Sequence, residues 1–268
     1  MRHKNNPLVL LRGGGDLATG VALRLYRAGI KLVVTELPQP LAVRRTVSFA
    51  EAVYEGHHTV EGVTARLVQQ DLIQETLERN EIPILVDPDV SILSSFNFHV
   101  VIDARLTKQT PAPLPLEVPL HIGLGPGFHA GKDCHAAVET RRSHTLGRVY
   151  WSGTTQPDSG QPEGDPRRVL RATGDGILTA KAKIGEHVDE GQVVAVIGDH
   201  YPVISPFAGV LRGLIRPRLY VTKGLKIGDV DPRGDPSACT LVSDKALAIG
   251  GGVLEAILSR EEIRKVLW

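Results

Sequence analysis

The stretch LVLLRGGGDLATGVALRLYRAGIKLVVTE, residues 8–36, contains the features that decide the predicted fold. An apolar run meets three glycines, a helical pattern follows, and a second apolar run ends on an acidic residue. Strand, glycine-rich turn, helix and second strand follow one another in this order in βαβ units. The sequence therefore predicts a βαβ unit whose helix N-terminus faces a dinucleotide.

The glycine-rich turn fits the relaxed dinucleotide fingerprint G-x-G-x-x-A at Gly13, Gly15 and Ala18. Gly13 allows a tight turn, and Gly15 removes the Cβ atom that would keep a pyrophosphate away from the backbone. Gly14 and Asp16 belong to the same candidate cofactor site, and Asp16 can also cap the helix. The free N–H groups of the first helical turn favour an anion by roughly 0.3–1 kcal/mol. The alternative is a glycine-rich turn that binds no ligand.

Glu36 ends the second apolar run, at the place where an acidic residue accepts a hydrogen bond from a ribose hydroxyl. Its carboxylate argues against a 2′-phosphate on that ribose, because the two negative groups would repel each other. We therefore expect NAD, or another nucleotide without this phosphate, rather than NADP.

Composition excludes several classes of protein. The chain has 268 residues, 42% of them hydrophobic and 23% charged, with a net charge of +1, so it has no electrostatic footprint for nucleic acid. It contains no apolar run of the roughly 18 residues that a membrane span needs, and its N-terminus lacks a signal-peptide core. Two cysteines, Cys134 and Cys239, do not make a disulfide framework. These features favour a cytoplasmic protein.

Strand-like and helix-like segments alternate over about the first 105 residues, which predicts a parallel sheet covered by helices on both faces. We expect an α/β, Rossmann-like nucleotide-binding domain at residues 1–152. Four prolines within residues 110–120 predict an extended connector inside it. A polar, turn-rich stretch at residues 153–168 then predicts a long loop or linker.

Residues 169–216 contain short alternating strands separated by glycines and resemble a biotinyl/lipoyl-like barrel-sandwich hybrid. Carriers of that family modify a lysine at a hairpin tip, but no lysine occurs between Lys183 and Lys223. The resemblance therefore implies an inserted all-β module that serves as a scaffold or docking element. Residues 217–268 are expected to return to the α/β domain and to end in a helix from Val253 to Leu267, after three glycines.

A second glycine-rich loop follows an apolar strand, and Gly125 and Gly127 in it can form an anion-binding nest or only a tight turn. The polar residues after it, His129, Asp133 and His135, are candidates to contact the ligand or simply occupy a solvated face. Their spacing lacks the regularity of metal motifs, so no metal ligand is assigned. No catalytic residue is assigned either.

Four long motifs carry a resemblance to a known family: residues 12–56, residues 121–149 (HIGLGPGFHAGKDCHAAVETRRSHTLGRV), residues 226–234 (KIGDVDPRG) and residues 243–258 (SDKALAIGGGVLEAIL). Together they resemble the YqeB family of selenium-dependent molybdenum hydroxylase system proteins, over about residues 7–258. Members are similar in role to XdhC/CoxF-type maturation factors. The resemblance implies that the protein assists a molybdenum hydroxylase, but it does not imply a particular reaction.

The expected function is therefore that of a maturation factor for a selenium-dependent molybdenum hydroxylase, which binds a nucleotide-bearing ligand at the glycine-rich turn. The candidate cofactors are the molybdenum cofactor in its cytidine dinucleotide form and NAD. The expected partners are the client hydroxylase and that small molecule, with no nucleic acid and no membrane, and self-association is left open. The alternatives are an NAD-dependent oxidoreductase and a non-catalytic docking scaffold.

Overall fold

The computed structural model describes residues 9–162 and 164–267, so Leu8 of the first predicted strand lies outside it. The chain divides into two compact units. Unit 1 comprises Met1–Pro40, Ser48–Asp158 and Val242–Trp268, and unit 2 comprises Leu41–Val47 and Ser159–Leu241. The α-helices of the described residues all belong to unit 1: α1 (Asp16–Arg27), α2 (Ala52–Glu55), α3 (Ile73–Glu78), α4 (Asp244–Ser259) and α5 (Glu261–Leu267).

Unit 1 is built on a mixed sheet, called the large sheet below. Its strands are β1 (Val9–Arg12), β2 (Leu32–Glu36), β3 (His57–Val60), β4 (Val63–Leu67), β5 (Ile82–Val86), β6 (Val100–Asp103), β7 (Leu120–Leu124), β9 (Ala136–Val138) and β10 (Val149–Tyr150). A separate two-stranded ribbon joins β8 (His129–Ala130) to β11 (Gly153–Thr154).

Among the described residues, the large sheet has nine strands in the order β10-β9-β7-β6-β1-β2-β5-β4-β3. The seven central strands are parallel, whereas β3 and β10 pair antiparallel with their neighbours at the two edges. The chain leaves β1 for β2 on one side and later places β6 on the other side. The carboxyl end of β1 therefore lies at a topological switch point, where open α/β sheets bind ligands.

Apolar side chains alternate along the strands and fill a core on each surface of the large sheet. Leu10, Val33 and Val101, from β1, β2 and β6, pack with Ile73 and Leu77 of α3. We call this surface the α3 face. Helices α1 and α4 pack against each other and contact strands of the large sheet.

The predicted fold, a Rossmann-like parallel sheet with a barrel-sandwich insert, is wrong. The large sheet is mixed, and β5 lies between β2 and β4, which breaks the sequential order of a doubly wound half. In the described chain no helix covers the connection from β6 to β7, because prolines keep residues 110–120 extended. The inserted strands also continue well beyond residue 216.

Unit 2 consists of two antiparallel sheets in its described residues, each with four strands. One sheet has the order β12-β19-β17-β14 and the other β16-β15-β13-β18. The strands are β12 (Val169–Arg171), β13 (Gly176–Ala180), β14 (His187–Val188), β15 (Val193–Ile197), β16 (Tyr201–Ile204), β17 (Gly209–Leu214), β18 (Tyr220–Val221) and β19 (Lys226–Asp231). Residues 41–47 join this unit: Val43 lies against Gly213, and Arg45 Nε donates to the carbonyl oxygen of Leu214 at 3.1 Å.

The C-terminal helix begins earlier than the sequence predicts. Helix α4 starts at Asp244, where the Ser243 side chain caps it by accepting a hydrogen bond from Ala246 N, and it ends at Ser259. Gly250, Gly251 and Gly252 therefore lie inside the helix rather than before it. Gly250 and Gly252 allow α4 to pack closely: a Cβ atom at Gly250 would lie 2.8 Å from the carbonyl oxygen of Gly20 in α1.

None of the helices in the described chain has both the length and the apolar character that a bilayer crossing requires.

Candidate functional site

The glycine-rich turn follows β1 at the carboxyl edge of the large sheet. Gly13 has φ +101°, a conformation that favours glycine, and its N–H donates to Thr35 O at 2.8 Å. Gly14 O accepts a 2.8 Å hydrogen bond from Ala50 N, and a Cβ atom at Gly14 would lie 2.9 Å from that same nitrogen. The absence of a side chain at Gly14 therefore allows the backbone of Ala50 to approach closely.

Helix α1 begins after Gly15, which is its N-cap, with no side-chain cap hydrogen bond. Asp16, expected as the cap, is instead the first residue of the helix, because the chain turns one residue earlier. A Cβ atom at Gly15 would meet nothing within 4 Å, so the described chain leaves open space there. Ala18 is buried, with 1% exposure, in agreement with the small residue expected at this position of the helix.

Glu36 uses both carboxylate oxygens inside the chain. Its Oε2 accepts a 2.7 Å hydrogen bond from Gly14 N, and its Oε1 accepts one of 2.7 Å from Leu37 N. The carboxylate thus stabilises the glycine-rich turn directly. Its expected bond to a ribose hydroxyl stays a prediction, and a ribose would compete with these two donors.

A row of polar side chains crosses the α3 face at the carboxyl edge. Arg12 pairs in register with Thr35 on β2 and with Asp103 on β6, and all three lie two residues beyond core residues of that face. We call Thr35, Arg12 and Asp103 the polar row. The polar row forms no recognisable motif in the sequence, where each residue is only the polar end of an otherwise apolar strand pattern: LLR, LVVT and VVID.

Two arginines converge on the one carboxylate of the polar row. Asp103 is only 1% exposed. Arg105 donates to it through Nε at 2.9 Å and through Nη2 at 2.6 Å, while Arg12 Nη1 lies 3.6 Å from Oδ2. Burial, followed by the charge of Arg105, lowers the pKa of Arg12. The charges of Asp103, Asp89 and Asp87 act in the opposite direction and raise it.

Two buried polar atoms of the row have no hydrogen-bond partner in the described chain: Arg12 Nε and Thr35 Oγ1. Arg12 Nη2 donates to Pro88 O at 2.9 Å, but this bond does not involve Nε. A buried polar group without a partner costs about 1–3 kcal/mol. Because native proteins rarely retain such groups without a partner, the polar row is a candidate ligand site.

The loops that flank the row contain two strained residues. Val90 follows β5 with φ +51°, and Leu106 follows β6 with φ +57°. Left-handed backbone is unusual for a bulky side chain and most unusual for a β-branched one. Strain of this kind concentrates at ligand sites and switch regions.

The second glycine loop lies at the same edge, after β7. Gly125 has φ +94°, and its N–H donates to Val138 O at 3.3 Å. A Cβ atom at Gly127 would lie 2.5 Å from Thr107 O. The positive φ explains the glycine at 125, and the close approach of Thr107 O explains the glycine at 127. Their anion-binding role stays a prediction.

The structure does not bring the predicted polar residues together with the first glycine turn. His129 and Asp133 form a turn of their own, in which His129 N donates to Asp133 Oδ2 at 3.0 Å. His135 precedes β9 and accepts a 2.9 Å hydrogen bond at Nδ1 from His121 N. Because β9 is parallel to β1, His135 lies toward the amino end of the strands, away from Gly13.

Chemistry based on metal ions or thiols receives little support from the described residues. They contain no group of three or more His, Cys, Asp or Glu side chains that could hold a metal ion. Cys134 and Cys239 are buried, and burial raises the pKa of both thiols, that of Cys134 to about 11. Both cysteines are therefore protonated at neutral pH and poorly nucleophilic.

Comparison with known proteins yields one curated relative and several distant solved structures, and no family model matches the chain. The chain is 49% identical over 256 residues to "Uncharacterized protein YqeB" of Escherichia coli (strain K12). The aligned region covers 94% of this chain and 47% of the relative, so the chain spans about half the length of the curated relative it matches. Over the aligned region, the chain is therefore similar to YqeB.

The solved structures are far more distant. An aspartoacylase family protein from Mesorhizobium loti is 12% identical, with 84% of this chain and 85% of that chain covered and a TM-score of 0.27. The ectoine utilization protein EutE from Ruegeria pomeroyi is 14% identical, with the same coverage and a TM-score of 0.27. A succinylglutamate desuccinylase/aspartoacylase from Rhodobacter sphaeroides is 13% identical, with 84% and 86% covered and a TM-score of 0.28.

These comparisons correct the function expected from the sequence. The similar structures are named as aspartoacylases and desuccinylases, and the name of the curated relative mentions neither molybdenum nor selenium. The prediction of a maturation factor for a selenium-dependent molybdenum hydroxylase, with its oxidoreductase and scaffold alternatives, is therefore wrong. The expected partners stay predictions.

Proposed function

We propose that this chain binds a small carboxylate at the carboxyl edge of the large sheet, beside the glycine-rich turn. The observation that carries the proposal is the polar row, in which Arg12 Nε and Thr35 Oγ1 are buried without a partner in the described chain. A carboxylate oxygen would accept from both groups. Arginine suits this role because its planar guanidinium group matches carboxylate geometry.

The carboxylates at this edge disfavour a ligand with more than one negative charge. Arg12 and Arg105 face Asp103, and Asp87 and Asp89 also act on Arg12. Asp16 adds a carboxylate in the first turn of α1 and opposes a doubly charged phosphate at the same edge. The position of the polar row also supports the proposal, since open α/β sheets bind ligands at a topological switch point.

Isothermal titration of the purified chain with acetate and with inorganic phosphate tests the proposal. The informative variant is Gly15→Asp. Aspartate is a favourable N-cap residue, so the variant keeps α1 stable while it adds negative charge to the open space at Gly15. We expect acetate to bind the wild type better than phosphate, and its affinity for the variant to fall by about tenfold or more, equivalent to about 1.4 kcal/mol.

Gly251→Asp is the matched control. Gly251 also lacks neighbours within 4 Å of an added Cβ atom, but it lies in α4, away from the polar row. This variant is expected to bind acetate as the wild type does. A wild type that binds neither acetate nor phosphate would contradict the proposal, as would equal losses in the two variants.

A further inference from the structure

One sheet of unit 2 has an apolar surface on its exposed side. In the sheet β16-β15-β13-β18, alternate residues point inward, and Leu178, Val203 and Val221 among them lie in the core of the unit. The residues between them point outward and form a surface that we call the outer face: Ile177, Thr179, Val196, Pro202, Ile204 and Tyr220. All of these except Thr179 are apolar or aromatic.

Large side chains of the outer face are exposed in the described chain. Ile177 and Tyr220 lie directly opposite each other on β13 and β18 and are 47% and 63% exposed. Ile204 on β16 is 49% exposed. An antiparallel sheet with one side in water normally carries polar residues on that side. A contiguous exposed apolar surface is instead typical of a protein–protein interface.

Two opposite charges lie at the two ends of the outer face. Along the central strand β13 and its flanks, the outward row consists of Asp175, Ile177, Thr179 and Lys181. Asp175 and Lys181 are both exposed, and their separation of six residues corresponds to about 20 Å along an extended strand. The row therefore has a negative end, an uncharged centre and a positive end.

This arrangement is complementary to itself. Two sheets that pack face to face lie about 10 Å apart, with their strands aligned to within about 30°. A twofold axis that lies in the interface, perpendicular to β13, makes the β13 strands of two copies antiparallel. Asp175 of each copy then lies opposite Lys181 of the other, and the apolar side chains cover each other between the two ion pairs. A twofold axis along β13 would oppose like charges.

We propose that the outer face binds a second copy of this chain and forms an antiparallel dimer with twofold symmetry. The occupant is a second copy because the apolar centre and both charges match the same surface rotated by 180°. Burial of the apolar side chains supplies most of the stability, and the ion pairs set the orientation. The interface contains no residue of the proposed carboxylate site.

Sedimentation equilibrium of the full chain tests the proposal with two charge reversals. Asp175→Lys places two pairs of lysines opposite each other, and Lys181→Asp does the same with two pairs of aspartates. We expect the wild type to dimerise as its concentration rises, and the dissociation constant of each variant dimer to increase by about tenfold or more. An equimolar mixture of the two variants restores both pairs of opposite charges, so it should form a heterodimer about as tightly as the wild type dimerises.

Lys132→Asp is the matched control, since Lys132 is an exposed lysine of unit 1, and this variant is expected to dimerise as the wild type does. Asp175→Lys also removes the acceptor of a 2.7 Å hydrogen bond from Lys223 N, so recovery of the dimer in the mixture separates the effect of charge from misfolding. A wild type that stays monomeric up to about 1 mM would overturn the proposal. A mixture that stays monomeric would overturn it too, as would an equal loss in Lys132→Asp or a variant of the outer face that dimerises as tightly as the wild type.

Discussion

The backbone N–H of Gly14 donates a 2.7 Å hydrogen bond to Oε2 of Glu36, which joins the turn after β1 to the end of β2. The acidic residue expected to bind a ribose thus stabilises the glycine-rich turn itself. The same turn contacts Ala50 through Gly14 O. Groups of the chain itself make these contacts. The polar row beside the turn, by contrast, contains buried polar atoms that have no hydrogen-bond partner in the described chain.

Removal of the Glu36 side chain should destabilise unit 1. In Glu36→Ala, the N–H groups of Gly14 and Leu37 lose a charged acceptor, and we expect the free energy of unfolding to fall by about 1–3 kcal/mol in urea titrations. Glu36→Gln retains one acceptor oxygen and should lose less. Equal stability of Glu36→Ala and the wild type would contradict a structural role for this carboxylate.

The glycines inside α4 should respond differently to the same substitution. A Cβ atom at Gly251 meets nothing within 4 Å, so Gly251→Ala should stabilise the helix by up to roughly 1 kcal/mol. A Cβ atom at Gly252 would overlap the carbonyl oxygen of Gly147, so Gly252→Ala should cost about 1–3 kcal/mol. Thermal unfolding of the two variants checks the order, and a reversed order would disprove the packing of α4 against this segment.

Asp231 in unit 2 should make stability depend on pH in the acid range. Its hydrogen bond with Arg233 is the largest cause that lowers its pKa to about 2, and Arg212 also pairs with it. A lowered folded-state pKa stabilises the fold above the ordinary value near 4, and this contribution is lost as the pH falls toward 2. In urea unfolding experiments, the difference in the free energy of unfolding between wild type and Asp231→Asn should shrink as the pH falls from 6 to 2. A difference independent of pH would refute the ion pair.

Both thiols should be inert in the folded chain. Cys134 and Cys239 are buried, and the pKa of each is raised. We expect a thiol reagent at pH 7 to label neither cysteine in buffer and both in urea, because only the unfolded chain exposes thiols with ordinary reactivity. Rapid labelling of Cys134 under native conditions would show that the sheet around it opens readily.

The elements around the glycine-rich turn are predictable from the sequence because each has a strong local signal. The strand ending at Arg12, the helix ending at Arg27 and the strand ending at Glu36 all occur at the predicted positions. The order of the strands within the sheet has no such local signal in the sequence. The position of β5 between β2 and β4, and the antiparallel edge strand β3, depend on long-range packing that a periodic pattern does not record.

The candidate site was harder to find for a related reason. Glycines attract attention in a sequence, yet Gly14, Gly125 and Gly127 meet requirements of the chain's own backbone. Arg12, Thr35 and Asp103 look like ordinary polar strand ends until the parallel register places them side by side.

The most direct test of the carboxylate site is Thr35→Val, measured for both stability and acetate affinity. Valine retains the shape of the side chain and removes a buried hydroxyl without a partner in the described chain, so the free variant should be as stable as the wild type or more so. Its affinity for acetate should fall by about fivefold or more, equivalent to about 1 kcal/mol.

The matched control is Thr76→Val in α3. Thr76 is also buried, but its hydroxyl donates to Leu72 O at 2.8 Å, so the same substitution should lower stability and leave acetate binding unchanged. Thr35→Val is thus expected to retain stability and to lose affinity for acetate. A Thr35→Val variant that binds acetate as tightly as the wild type would contradict it.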